Sequence, residues 1–250
     1  MARVKYLKST LHEVIFQVRF PKILKLTEEA PSAFQERIIE KYPIYSVQNN
    51  ETVVEFNGKQ QQQMNEKNHC FISQSGRTKI NLTSSFIAVS TLEYDRWEMF
   101  KEEIKRILNI FYDCYTIPGI QRIGLRYINI INRGELGLSD KPWSELFDAN
   151  VLGPLSSQDD IANYKTEFVL KLSDECYINR HYELVRKQAT NGLSLMLDCD
   201  YYYTGFFKTG SISDYSDKLH ALSQKFIEES HKEVLLNAMQ PQELEPWPAI

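Results

Sequence analysis

Residues 122–129 read Arg122-Ile123-Gly124-Leu125-Arg126-Tyr127-Ile128-Asn129. In an extended chain Ile123, Leu125 and Tyr127 face one way, and Arg122, Gly124, Arg126 and Ile128 the other. That is the period of two expected of a half-buried strand. The stretch Glu13-Val14-Ile15-Phe16-Gln17-Val18-Arg19-Phe20 alternates in the same manner and ends at Pro21. Here too an arginine lies on the polar side of an apolar strand.

Working outward from these two segments, Trp97, Phe100, Ile104, Ile107, Leu108, Phe111 and Tyr115 recur at three- and four-residue steps. This periodicity predicts a long helix between Leu92 and Tyr115, closed by Pro118-Gly119. A second long helix is predicted from Ser213 to Met239, with Leu219, Leu222, Phe226, Val234 and Leu235 inward. Ser32 opens a shorter helix towards Tyr42, stopped by Pro43, and another short one covers Trp143–Phe147. Strands are expected at Thr52–Phe56, His69–Gln74, Lys79–Leu92 as either one bent strand or a pair with a break near Ser84-Ser85, Thr166–Leu172, Tyr182–Gln188 and Leu193–Tyr203. The polar run from Gly58 to Asn68, with four consecutive glutamines, is expected to be a mobile loop.

Each half then runs strand, helix, several strands, long helix. We expect an α+β protein of mostly antiparallel sheet with long helices on one face, built from two pseudo-repeated β-α-β(n)-α halves at 1–118 and 119–240. A Pro-rich tail, 241–250, follows.

The quoted segments, extended to Leu11-His12-Glu13-Val14-Ile15-Phe16-Gln17-Val18-Arg19-Phe20 and joined by Tyr94-Asp95-Arg96-Trp97 ahead of the long helix, resemble a sporadically distributed, functionally uncharacterised prokaryotic family of similar length. The resemblance covers nearly the whole chain. These residues characterise the family without assigning chemistry, so no catalytic role is carried over from it. A patchy distribution would fit an accessory gene moved between genomes, including defence or toxin–antitoxin settings.

With 250 residues the chain suffices for one large body with its own core. Its 29 Lys+Arg against 33 Asp+Glu argue against a protein devoted to coating phosphate backbones, so nucleic acid is not the favoured partner. Cys70, Cys114, Cys176 and Cys199 stand far apart and form no C-x-x-C, so they predict buried free thiols. No signal-like or membrane-spanning apolar stretch is present, and a cytoplasmic location is expected.

Arg19, Arg122 and Arg126 are the first candidate site. Mid-strand guanidiniums must be paired or solvated. Carboxylates of the chain can serve, or the three can line a groove that grips a phosphate, nucleotide or carboxylate ligand. Charges of both signs between Arg180 and Lys187 suggest a solvated edge strand. On the last helix His220, Gln224, Glu228 and His231 share a stripe, and Glu228-x-x-His231 has di-iron ligand spacing. A second ligand pair on another helix is missing, so a polar helix face and no metal are expected. Neither a G-x-S-x-G elbow nor a phosphate-cradling glycine loop occurs, and no cofactor is expected.

Aromatics crowd between Tyr201 and Phe207. They form either strand packing or, with Trp247 in the tail, a recognition patch whose candidate anchors are Tyr202, Phe207 and Trp247. The sequence therefore favours a non-catalytic interaction or regulatory protein with a protein partner or self-association. The competing expectation is a sensor or enzyme for an anionic small molecule bound by the three arginines.

Overall fold

The computed structural model describes residues 4–56, 59–158, 160–186 and 192–244, with 50–56 and 59–65 described as backbone only. Its strands are β1 (Val4–Tyr6), β2 (Leu11–Arg19), β3 (Ile44–Phe56), β4 (Lys59–Ile72), β5 (Thr78–Leu82), β6 (Phe86–Thr91), β7 (Ile120–Asn132), β8 (Lys165–Lys171), β9 (Cys176–Arg186), β10 (Leu193–Phe207) and β11 (Pro241–Glu243). Its helices are α1 (Lys25–Glu28), α2 (Ser32–Ile38), α3 (Trp97–Cys114), α4 (Trp143–Leu146), α5 (Ala149–Leu152), α6 (Ile212–Ser230) and α7 (Glu233–Ala238). Nine strands form one sheet in the order β3-β4-β5-β6-β2-β7-β10-β9-β8, antiparallel throughout, while β1 and β11 pair separately. The protein is thus α+β around a large antiparallel sheet, and strands from both sides of residue 118 share it.

The two alternating segments, β2 and β7, are neighbours at the centre of the sheet. In the β2–β7 ladder Val14 faces Tyr127, Phe16 faces Leu125 and Val18 faces Ile123. All six side chains are buried. On the reverse side Ile15 faces Arg126, Gln17 faces Gly124 and Arg19 faces Arg122. Within the large sheet β2 also lies beside β6, and β7 beside β10.

Helices α2, α3 and α6 each contact the apolar side. Phe111 of α3 meets Phe20 with ring centroids 5.0 Å apart, and Phe34 of α2 sits edge-on to Phe71 of β4 at 5.6 Å. The hydroxyl of Tyr127 is hydrogen-bonded to Nδ1 of His220 on α6 at 2.8 Å. That imidazole also stacks on Trp97 of α3 at 4.8 Å. Asp217 completes the clamp, accepting from Trp97 Nε1 at 2.8 Å and from Lys101 Nζ at 2.5 Å. Along α6 the buried residues include Ser216, Ser223 and Ser230, one every seventh position. Each hydroxyl donates to a carbonyl of its own helix, so short side chains are buried without orphaned hydroxyls.

Several expectations are corrected. The Gln-rich run is strand rather than loop: Lys59–Ile72 pairs with β3 in a long hairpin. An antiparallel ladder is made by backbone groups, and near a sheet edge it does not require apolar side chains. The helix predicted to continue to Met239 ends at Ser230, because His231 is extended and bridges Phe147. Val234 is consequently exposed, while Leu235 is buried. The tail begins as a strand, β11, and 245–250 lie outside the described residues. β9 is not an edge: it runs between β10 and β8, with Arg180 placed over the Phe226 ring at 4.3 Å. The polar stripe on the last helix is divided as well, since His220 meets Trp97 and Tyr127 and His231 is buried.

Two ionisable groups, buried His231 and half-buried Glu103, make the fold acid-sensitive. Burial pushes the His231 imidazole down to about 4, below its ordinary 6.5. Burial alone would raise Glu103, but hydrogen bonds from Arg106, Lys41 and Tyr42 outweigh it and hold the carboxyl at about 2. Both folded values lie below the unfolded ones, so both contributions are complete at neutral pH and are lost on acidification. His231 acts between pH 6.5 and 4, a window in which buried His69 is also depressed, and Glu103 acts between 4.5 and 2. Urea titrations should show stability falling from about pH 6.5 downward, with His231→Gln removing about 2–3 kcal/mol of that fall. A pH 4–6.5 slope unchanged by the substitution contradicts the assignment.

Candidate functional site

The polar side of the sheet is organised by β7 and β10. Strand alternation sends Arg122, Gly124 and Arg126 to this side from β7, and Asp198, Asp200, Tyr202 and Thr204 from β10. Arg126 donates through Nε to Asp198 Oδ1 at 2.6 Å and through Nη2 to Oδ2, a two-pronged bond that fits the guanidinium fork. These bonds hold the Arg126 guanidinium above its ordinary range.

Arg122 reaches further. Although Thr204 is its direct neighbour on β10, its guanidinium lies 4.4 Å over the Tyr202 ring and donates to Asp200 Oδ2 at 2.6 Å. Its other terminal nitrogen donates to Gln17 Oε1 at 3.2 Å. Gly124 makes this path possible, because a Cβ there would run into the Arg122 guanidinium. Tyr202 stacks in turn on Tyr177 of β9, centroids 5.5 Å apart and planes at 17°. Burial raises the Asp200 carboxyl above the usual carboxylate range, against the pull of Arg122 and Arg126. Towards the β8 edge, His181 meets Glu183 at 2.9 Å and Asn179 donates to Glu167 at 3.2 Å.

The three arginines are therefore neighbours, but not equivalent. Arg122 and Arg126 are ion-paired. Arg19, directly opposite Arg122, is exposed and has no ion pair among the described residues. Like charges placed opposite one another on a ladder repel, and turning Arg122 towards Asp200 separates them. The aromatic patch splits similarly. Phe207 is core, 6% exposed and against Tyr215 of α6, so it is not an anchor for a partner. Tyr202 belongs to the polar side, and Trp247 lies outside the described residues. No protein-family model matches the chain, and no curated protein does.

Sequence reasoning missed Asp198 and Asp200. Two aspartates at i, i+2 within an apolar strand need cationic partners, and that was the available signal. Elsewhere, a cleft of about 120 Å³ lies between α3 and the start of α6. Its two lysines, Lys101 and Lys105, are engaged by Asp217 and Glu102. All four thiols are pushed up by burial, Cys199 to about 12, which keeps them protonated at neutral pH. No cluster of three or more His, Cys, Asp or Glu able to hold a metal is found among the described residues.

The Arg126–Asp198 pair is unequally exposed, its side chains being 43% and 7% accessible. Removing the arginine strands a buried carboxylate, whereas removing the aspartate leaves a guanidinium that water can reach. Arg126→Met should therefore cost about 3 kcal/mol and Asp198→Asn nearer 1 kcal/mol in urea unfolding. Equal losses would contradict the burial asymmetry. Phe207→Ala should cost about 3–5 kcal/mol through its cavity, well beyond Tyr202→Ala.

Proposed function

We propose that the protein acts by binding a protein partner through the polar side of its sheet, as a non-catalytic interaction or regulatory component of the cytoplasm. The observation that carries this reading is the Arg122–Asp200 and Arg126–Asp198 pairing beside the Tyr202–Tyr177 stack. Guanidiniums fixed by carboxylates, with aromatic rings beside them, form a preorganised surface of mixed charge, and arginine and tyrosine are favoured residues at protein interfaces. Arg19 adds an exposed cation next to it.

The competing reading, a groove for a phosphorylated or carboxylate ligand, is less well supported by the same geometry. An incoming anion has to displace Asp198 or Asp200 from Arg126 and Arg122, so of these three arginines Arg19 alone has no ion pair among the described residues.

Cross-linking in the source cell followed by native mass spectrometry tests the proposal. A cross-linked protein mapping to β2, β7, β9 or β10 is expected, and Arg19→Glu should weaken the isolated complex roughly tenfold, or about 1.4 kcal/mol, without shifting the melting temperature. Retention of a small anionic molecule lost in Arg126→Ala, with no protein partner, would overturn it in favour of the ligand reading.

A further inference from the structure

The two edges of the sheet are built differently. β8 is seven residues long and carries Lys165, Glu167 and Lys171, all exposed, the usual protection of an edge against strand addition. β3 is 13 residues long, spanning roughly 40 Å, and has no lysine, arginine or proline. From Ile44 to Asn50 it has no charge at all. Of the 13 exposed large apolar side chains among the described residues, four fall within residues 39–47: Ile39, Ile44, Tyr45 and Val47. β3 ends the strand order, so the backbone donors and acceptors on its outer edge have no strand partner among the described residues.

We propose that the protein forms a two-fold dimer by antiparallel pairing of β3 with β3 of a second copy. An unprotected edge of this length is completed by another strand, and β3 itself matches it in length and in its lack of positive charge. The charge pattern permits self-pairing, since the strand's two glutamates need not be paired with each other. With the two-fold axis at Asn50, Glu51 is opposite Asn49 and Glu55 opposite Tyr45, so no glutamate faces another. The same register sets Val53 opposite Val47 and Phe56 opposite Ile44. Pairing with β8 would leave about half of β3 unmatched and, being head-to-tail, would propagate into open polymers. Self-pairing closes at two copies and yields a continuous sheet of 18 strands.

Sedimentation equilibrium on the full-length chain tests this, together with amide exchange at concentrations on either side of the association midpoint. The expected result is a dimer whose β3 amides gain protection on association. Val47→Lys should raise the dimer dissociation constant by at least about tenfold, and Val169→Lys on β8 should leave it unchanged. A monomer at every concentration, open polymers, or a dimer whose β3 amides are indifferent to association would overturn the proposal. The exchange measurement decides on the unmodified protein, even if Val47→Lys fails to fold.

Discussion

The β2–β7 ladder is the constraint from which the rest follows. It is the seam at which strands from the two halves join, and its two sides do different work. On one side six interlocking apolar side chains give the helices something to cover. On the other, the same register places Arg19 against Arg122, an arrangement that is unfavourable unless one of them is drawn away. Asp200 provides the pull and Gly124 the passage. A one-residue slip would move the arginines into the core and expose the aliphatics, so packing and polar pairing specify the same register.

The helices are tied to this ladder by few but directional contacts. Asp217 and His220, both on α6, each reach Trp97 of α3, and His220 is hydrogen-bonded to Tyr127 of β7. Glu103 plays a comparable part at the other end, accepting from Lys41 and Tyr42 beyond α2 and from Arg106 within α3. Polar groups thus orient helices whose apolar stripes alone would let them slide.

Much of the fold was legible because strands and helices announce themselves by period. The alternation in β2 and β7 and the stripe of α3 follow from local pattern, whereas the choice between one bent strand and the separate β5 and β6 did not. What escaped was decided by neighbours distant in sequence. Nothing in Gln60-Gln61-Gln62-Gln63 indicates a strand, because its ladder is made by backbone opposite β3. Phe207 and Tyr202 look alike in a run of aromatics, yet the first is buried against α6 and the second lies on the polar side under Arg122, with a register shift in the β7–β10 ladder between Thr204 and Phe207. Arg122 and Arg126 could be recognised as needing partners, but naming Asp198 and Asp200 requires the β7–β10 register.

The serine seam of α6 bears on how relatives of this protein could be found. Because Ser216, Ser223 and Ser230 satisfy their hydroxyls within the helix, what the packing asks of those positions is smallness rather than chemistry. Alanine or glycine would serve there, and a bulky residue would lift the helix from the sheet. Divergent chains of the same architecture should therefore keep a heptad of small residues ahead of the C-terminal helix break, even where the arginine-bearing strands have drifted beyond recognition.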